Sequence, residues 1–589
     1  MTTYQPPGSR SGFGWKRAVS WAAFAVVASA LVLAVLFAWD GWKLNSAASE
    51  LKAHAAGAQD ALTSGDAEGL AAEVADLQRA SDSFASHTDG PQWWVASRLP
   101  WVSSQAVPLQ QAGAAVRDVA QGALKPLAEL GGLGALEAPA IQDGRIDPYV
   151  LEPYRLALAQ ASGVLAQERE TLHGVSLEGA VSQVRDPFLK LTADLDRLGE
   201  TIQDAHVAAE VLPSMLGAEG PQTYIVMVQN SAEPRATGGI AGAVLEIKAD
   251  DGRLAFERYS TADAMTDRDQ DVAALTDDEL RIFTSRMAHF PQDVNFTPEF
   301  PRSAELMSAF WERQYGQIPD AVVSVDPVAL GYMLEDMPAT DVDGITITGA
   351  NLADVMLRDS YLLFPQPADQ DEFFAHASEV LFGQLLGGPS AVTGVERAVQ
   401  EGRFLVWSPG AHQDLLETTS VSGDFIAQTD ALGVFVNDGS GSKIGYYVDR
   451  STEVVDHVCG DGSLRAQTVT MTLTHSYAGD VADLPWYVSG GGIYVPEGEF
   501  QANVLVYPPA GLGLVEFLKD GKQDLMNPES HDGRPVITSR VALLPGESAV
   551  LTFELEATEP DLVIGEAVGT PGPSADAIVR SRVTFDGVC

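Results

Sequence analysis

The segment Gln229-Asn230-Ser231-Ala232-Glu233-Pro234-Arg235-Ala236-Thr237-Gly238-Gly239 concentrates the chemistry of this chain. Asn230, Glu233, Arg235 and Thr237 supply donors and acceptors between two apolar runs, and a loop held by buried strands is where binding residues gather. The arginine fork suits bidentate capture of a phosphate or a carboxylate. Gly238 and Gly239 permit a positive φ or a close backbone approach at the entry of the second run. The competing reading is a structural loop in which Glu233 pairs with Arg235 or caps backbone groups. Spacing alone does not choose between the two.

Other catalytic patterns are absent from the sequence. It has no GxSxG elbow, no Walker loop, no HExxH and no GxGxxG following a strand. The ten histidines are scattered and do not recur at metal-ligand spacing. Asp267, Asp269 and Asp271 imitate the start of an EF-hand, but Val272 stands where the turn needs glycine and Asp278 where the bidentate Glu belongs. A solvated acidic loop is the simpler reading, and the catalytic residue remains unassigned.

The elements that must position the cluster follow from periodicity. Tyr224–Val228 is a short apolar run bounded by Gly220-Pro221 and predicts a buried strand, with a second over Ile240–Ile247. A helix at Ser303–Tyr315, a strand at Ala321–Val325 and helices near 327–337, 350–363 and 370–386 make residues 216–440 an α/β-layered middle domain. Before it, residues 40–215 read as a helical membrane-proximal stalk or bundle. Leu70, Val74, Leu77, Ser81 and Phe84 form one apolar stripe, and Leu191, Leu195, Leu198 and Ile202 another. After it, Val469, Met471 and Leu473 alternate with threonines, so residues 441–589 read as an antiparallel β-sandwich. The fold class is thus multi-domain α+β.

The N-terminus places the whole. Arg10, Lys16 and Arg17 precede the uncharged run Ala18–Trp39, whose twenty-two residues span roughly 33 Å as a helix. Trp21, Trp39 and Trp42 sit where interfacial aromatics belong. Residues 1–17 are expected in the cytoplasm, 18–39 as a transmembrane helix in contact with membrane lipid, and the bulk outside. A cleaved signal peptide is the rival reading, but its apolar region runs only about 7–15 residues. The formal net charge of −45 argues against nucleic acid, whose phosphates require Lys and Arg. The two cysteines, Cys459 and Cys589, are expected to pair outside the cytoplasm. Closing a loop of about 130 residues would stabilise by about 5 kcal/mol.

A resemblance adds to this reading. Tyr224–Gly239 resembles the signature strand and loop of a bacterial family called domain of unknown function 4012: an apolar strand, Q-N, then E-x-R-x-T-G-G and a second strand. Leu99-Pro100-Trp101-Val102 is similar to its LPWLG, with Ser103 in place of the glycine. Asn295–Pro301 resembles N-x-[ST]-P-D-F-P, and Asp320–Pro327 resembles D-G-V-I-x-x-D-P. Asn437-Asp438 with Lys443, Tyr446 and Tyr447 resembles a later N-D-x-x-x-x-K-x-x-Y-Y. The family name carries no activity. More distantly, the order of Ala321–Asp326, Val328–Met337 and Leu352–Tyr361, with Arg358, is similar to the LytR-CpsA-Psr ligases. Those enzymes transfer glycopolymers from a polyprenyl-pyrophosphate lipid, with arginines on the pyrophosphate and a metal ion assisting. The chain departs from them in lacking a counterpart of their R-x-R and arginine-rich patterns.

Two functions follow as expectations. In the first, Asn230, Glu233, Arg235, Thr237, Gly238, Gly239 and Arg358, with Arg258, bind or help transfer a polyprenyl-pyrophosphate-linked glycopolymer. A divalent cation such as magnesium would then sit on Asn230 or Asp263. In the second, the chain is a non-catalytic envelope scaffold or interaction protein. Arginines converging on a pocket would favour the first, and Arg235 paired with Glu233 in a filled core the second.

Overall fold

The computed structural model describes residues 50–589 except short breaks within 51–66, residues 89 and 101, 131–143, 387–390, 460–462, short breaks within 560–564, 575–577 and 585–589. The expected transmembrane helix at 18–39, Trp101 and Cys589 lie outside the described residues. Among the described residues no helix is long and apolar enough to cross a membrane, and no cysteine is free.

The chain divides into two compact units. The first is helical. Helix α1 (Ala67–Ser86) buries Val74, Leu77 and Ser81, as the stripe requires, and α2 (Ser103–Val119) buries Ala106, Ala112 and Ala115. Helix α3 (Arg155–His173) buries Leu158, Ala161, Leu165 and Leu172 at steps of three, four and seven. Helix α4 (Ser182–Met215) belongs to this unit up to Ile202, burying Leu195 and Ile202, and its remainder from Gln203 is assigned to the second unit.

The second unit holds the remaining architecture. Strands β1 (Gln222–Arg235), β2 (Gly238–Asp250), β3 (Arg253–Thr261) and β4 (Ala321–Val325) are followed by a small hairpin, β5 (Thr340–Val342) with β6 (Ile345–Ile347), and by β7 (Phe404–Trp407). Five of them form a sheet in the order β3-β2-β1-β4-β7, with β1 and β4 parallel and the other neighbours antiparallel. Helix α5 (Phe300–Tyr315) starts with Pro301 in its first turn, where the missing N–H costs nothing, and stops at Gly316 with φ 72°. It buries Phe300, Phe310 and Trp311 against Ile225, Met227 and Val244 of the sheet. Helices α6 (Pro327–Met333), α7 (Pro367–Leu385) and α8 (Ala391–Gln400) complete the layer.

Strands β8 (Leu432–Asp438), β9 (Val448–Val458), β10 (Leu464–His475), β11 (Phe500–Tyr507), β12 (Leu512–Lys519), β13 (Lys522–Gln523), β14 (Asn527–His531), β15 (Arg534–Leu543), β16 (Ser548–Ala557), β17 (Ala567–Gly569) and β18 (Ile578–Thr584) make two further sheets. Their orders are β13-β12-β16-β10-β9-β18 and β14-β15-β11-β8-β17. Val469, Met471 and Leu473 of one sheet share a core with Val434, Val436 and Val504 of the other, so the two enclose a sandwich. The arrangement is mixed rather than wholly antiparallel: β17 joins β8 and β18 joins β9 in parallel. Strand β8, ahead of residue 441, is an inner member of its sheet. The opposite side of that sheet contributes Phe435, Leu505, Tyr507 and Val536 to the core around α5. The α/β layer and the sandwich therefore share one apolar interior.

Candidate ligand-binding site

The segment expected as a loop is strand. Strand β1 continues past Val228 to Arg235, and its pairing with β2 resumes at Pro234–Gly239 and Arg235–Gly238 after an irregularity between Asn230 and Pro234. Ser231, Ala232 and Glu233 form the extra residues of a bulge, which re-aims side chains while the ladder continues. Only Ala236 and Thr237 remain between the strands. Gly238 adopts φ 143°, and a Cβ there would sit 2.6 Å from Gln229 Oε1. A Cβ on Gly239 would clash with the Asn230 carbonyl group and the Ser231 nitrogen. Gly239→Ala is accordingly expected to destabilise the protein by at least about 2–3 kcal/mol, read as a lowered denaturation midpoint.

The polar side chains of the segment bind one another across the fold. Gln229 Nε2 donates to Ser324 and, at 3.2 Å, to Thr237 Oγ1, while its Oε1 accepts from Gly239 N at 2.8 Å and Asn295 Nδ2 at 3.1 Å. Asn295 also donates to the Gly239 carbonyl at 2.7 Å. Asn230 donates to the Tyr361 hydroxyl at 2.7 Å and accepts from Ala232 N at 3.1 Å. Glu233 does not pair with Arg235. It pairs with Lys443, whose ammonium lies 4.6 Å from the ring centres of both Tyr361 and Tyr487. Burial penalises the Glu233 charge, but Lys443 and then Arg235 outweigh it and hold the carboxyl below its usual range.

Arg235 is buried and finds its carboxylate 58 positions away. Nη2 donates to Asp293 Oδ1 at 2.9 Å and Nη1 to the Pro234 carbonyl at 3.0 Å, with the guanidinium over Phe296. Asp293 carries two arginines, because Arg286 meets its other oxygen at 2.6 Å. Nearby, Asp438 accepts from Ser440 and from Gly441 N, and burial lifts its pKa to about 6 despite the opposing charge of Arg235.

These residues form one wall of a cleft of about 750 Å³ between the α/β layer and the sandwich. Five arginines line it, Arg235, Arg268, Arg281, Arg286 and Arg540, together with Phe290, Phe296 and Tyr494. Arg268 and Arg286 both lie over Phe290, at 5.6 and 4.7 Å from its centre. Arg281 is tied to Asp278 and Glu529, and Arg540 donates to Asn503 at 3.2 Å. Arg268 and Arg540 make no ion pair with any described residue.

Of the residues singled out from sequence, Glu233, Arg235 and Asp263 line this cleft. Thr237 instead lines a second cavity of about 460 Å³, and Asn230, Gly238 and Gly239 brace the hairpin. Arg258 pairs with Glu246 at 3.1 Å and stacks on Tyr315. Arg358 pairs with Asp359 at 2.6 Å and donates to the Tyr446 hydroxyl at 3.0 Å. The three arginines expected to converge therefore do not. Those that do, Arg268, Arg281, Arg286 and Arg540, carry no motif, and only Arg235 was visible in advance.

The cation donors do not assemble either. The Asn230 amide is committed to Tyr361 and Ala232, while Asp263 stands exposed on the cleft wall. The EF-hand-like acids have separate partners: Asp271 meets His289 at 2.8 Å and Asp267 approaches Arg313 at 3.9 Å. Among the described residues no group of three His, Cys, Asp or Glu side chains is placed to hold a metal ion.

The same hairpin, β4 and the segment up to Tyr361 carry the match to known proteins. Residues 219–361 match the family model described as Protein of unknown function (DUF4012). This segment is similar to the DUF4012 family. No curated protein and no solved structure matches it. Within the DUF4012-like segment the signature positions Gln229, Glu233, Arg235, Thr237 and Asn295 are all buried. Two later positions that resemble the family pattern, Asn437 and Lys443, complete the network from the sandwich side. Asn437 accepts from Ala236 N at 2.9 Å and donates to the Phe296 carbonyl at 2.8 Å.

Proposed function

We propose that this chain is a membrane-anchored, extracytoplasmic protein of the bacterial cell envelope whose cleft binds the anionic portion of a glycan. A polyprenyl-pyrophosphate-linked glycopolymer is the ligand class that suits both the anchor and the arginines. The observation that carries the reading is the convergence of five arginines on one cleft, which five carboxylates also line, with Arg268 and Arg540 outside any ion pair among the described residues. A guanidinium fork binds a phosphoryl oxygen pair strongly, and partial enclosure between protein walls strengthens the attraction. The proposal is for binding rather than group transfer, because Asn230, Glu233 and Thr237 hold groups of the protein itself. An envelope scaffold is the second reading. It is favoured by the way the signature residues join the α/β sheet to the sandwich.

The test is native mass spectrometry of the full chain in detergent, with polyprenyl-pyrophosphate glycans and with inorganic pyrophosphate. Each of Arg268→Ala and Arg286→Ala is expected to weaken binding about tenfold or more, the value of one lost charge-assisted pair. Arg358→Ala, outside the cleft, is expected to bind like the unaltered protein. Equal affinities in the cleft variants would leave the scaffold reading standing. The topology is tested separately by protease digestion of intact spheroplasts, in which residues beyond 40 should be cleaved.

A further inference from the structure

Two turns close one end of the helical unit. The first joins α1 to α2, which run antiparallel: Gln78 Nε2 donates to the Ala120 carbonyl just past α2 at 3.2 Å, and Gln110 Nε2 to the Thr88 carbonyl at 3.0 Å. The second joins α3 to α4, where Asp196 meets Arg169 at 2.9 Å and His173 at 3.0 Å. The turns are bonded to each other. Gln105 Nε2 donates to the Gly179 carbonyl at 2.7 Å, and its Oε1 accepts from Val181 N at 2.9 Å. Large apolar groups face outward here: Trp94 is 59 % exposed, Val181 50 % and Leu99 45 %. Arg98 lies over the Trp94 ring, 3.9 Å from its centre, and donates to the Trp94 carbonyl at 2.9 Å.

The charge of this end is unlike that of the chain. Between Gly90 and Val116 the sole charged residue is Arg98, and between Gly174 and Val181 it is Glu178, whereas the whole chain carries −45. The residues before α1 set the height of the first turn. Glu50, Ala53, His54 and Gly57 are helical. His54 Nδ1 lies 2.7 Å from Glu73 Oε2, and a Cβ on Gly57 would stand 2.6 Å from Glu73 Cδ. Helices joined by so short a connection pack antiparallel. The fourteen positions from 40 to 54 are therefore matched by fourteen from 73 to 87. At equal helical rise the turn after α1 returns to the level of residue 40.

We propose that this end of the helical unit docks on the membrane surface, with Trp94, Leu99 and Val181 in the interfacial layer. The inference rests on the reading of residues 18–39 as a transmembrane anchor, which puts residue 40 at the outer face of the bilayer. Amphipathic indole rings favour the headgroup level, and a guanidinium reaches phosphate while its stem stays with apolar groups. Anionic headgroups repel an acidic surface, so the nearly neutral end is the one that can approach. Held by the anchor and by two turns, the unit has a fixed orientation on the bilayer.

Photo-crosslinking of the full chain in phosphatidylethanolamine–phosphatidylglycerol vesicles tests this, with benzoylphenylalanine replacing Trp94, Val181 or Leu156 in turn. Leu156 is 77 % exposed but stands at the start of α3, about 25 Å of helix away from the turns. Lipid adducts should form at positions 94 and 181 about tenfold more than at 156, as expected for side chains that partition into the interface. Equal yields at the three positions, or protein adducts in place of lipid at 94 and 181, overturn the docking. Alkaline carbonate extraction of the same vesicles separates the two readings. Release of the chain removes the anchor and the docking with it. Retention without lipid adducts at 94 and 181, while benzoylphenylalanine in place of Leu33 gives them, overturns the docking and spares the anchor.

Discussion

Lys443→Met is expected to destabilise the protein by about 3–5 kcal/mol, the cost of leaving a buried charge without its partner. Lys443 and Glu233 are both buried, and Glu233 receives no hydrogen bond from any described residue other than Lys443. Removing the ammonium strands the buried Glu233 carboxylate, which must take up a proton or draw in water. The double variant Glu233→Gln, Lys443→Met should recover most of the loss, because a neutral pair has no charge to desolvate. Urea denaturation of Lys443→Met, Glu233→Gln and the double variant checks this. Additive losses would show that the two side chains do not act as a unit.

Glu299→Gln is expected to stabilise the protein at alkaline pH by an amount on the order of several kcal/mol. Glu299 is in the short segment before α5 and accepts from Ile426 N at 2.8 Å. Burial, followed by the charge of Asp424, raises its pKa to about 9. Asp532 adds to that rise from the sandwich side. The folded protein thus binds a proton that the unfolded chain releases near pH 4.5, so this group's stabilisation is complete below pH 4.5 and is lost as pH climbs through 9. The melting temperature should fall between pH 6 and 9 in the unaltered protein and stay flatter in the variant. Parallel curves would contradict the assignment.

Periodicity located elements where apolar residues repeat without interruption. The alternation along Val469–Leu473 gave the sandwich strand β10, and Ala321–Val325 gave β4 to the residue. It misjudged Gln229–Arg235, because polar residues between apolar runs read as a solvated loop, whereas here they are buried by bonding one another. Arg235 was recognisable as chemically notable, but its partner Asp293 is set by the packing of the segment before α5 and by no local rule. The resemblance located Asn295, Asn437 and Lys443 as positions without stating what they touch. Arg268, Arg286 and Arg540 were invisible because only tertiary structure brings residues 268, 286 and 540 to one cleft.

The family match ends at residue 361, yet the partners of its signature residues continue well beyond it. Glu233 is neutralised by Lys443, Ala236 N is satisfied by Asn437, and the face of α5 is covered in part by Phe435, Leu505 and Tyr507. A fragment cut at the ends of that match would keep the sequence signature and lose the groups that make it tolerable in a dry interior. The α/β layer and the sandwich should accordingly melt in one cooperative transition, as a single foldon whose borders are set by physics and not by sequence similarity.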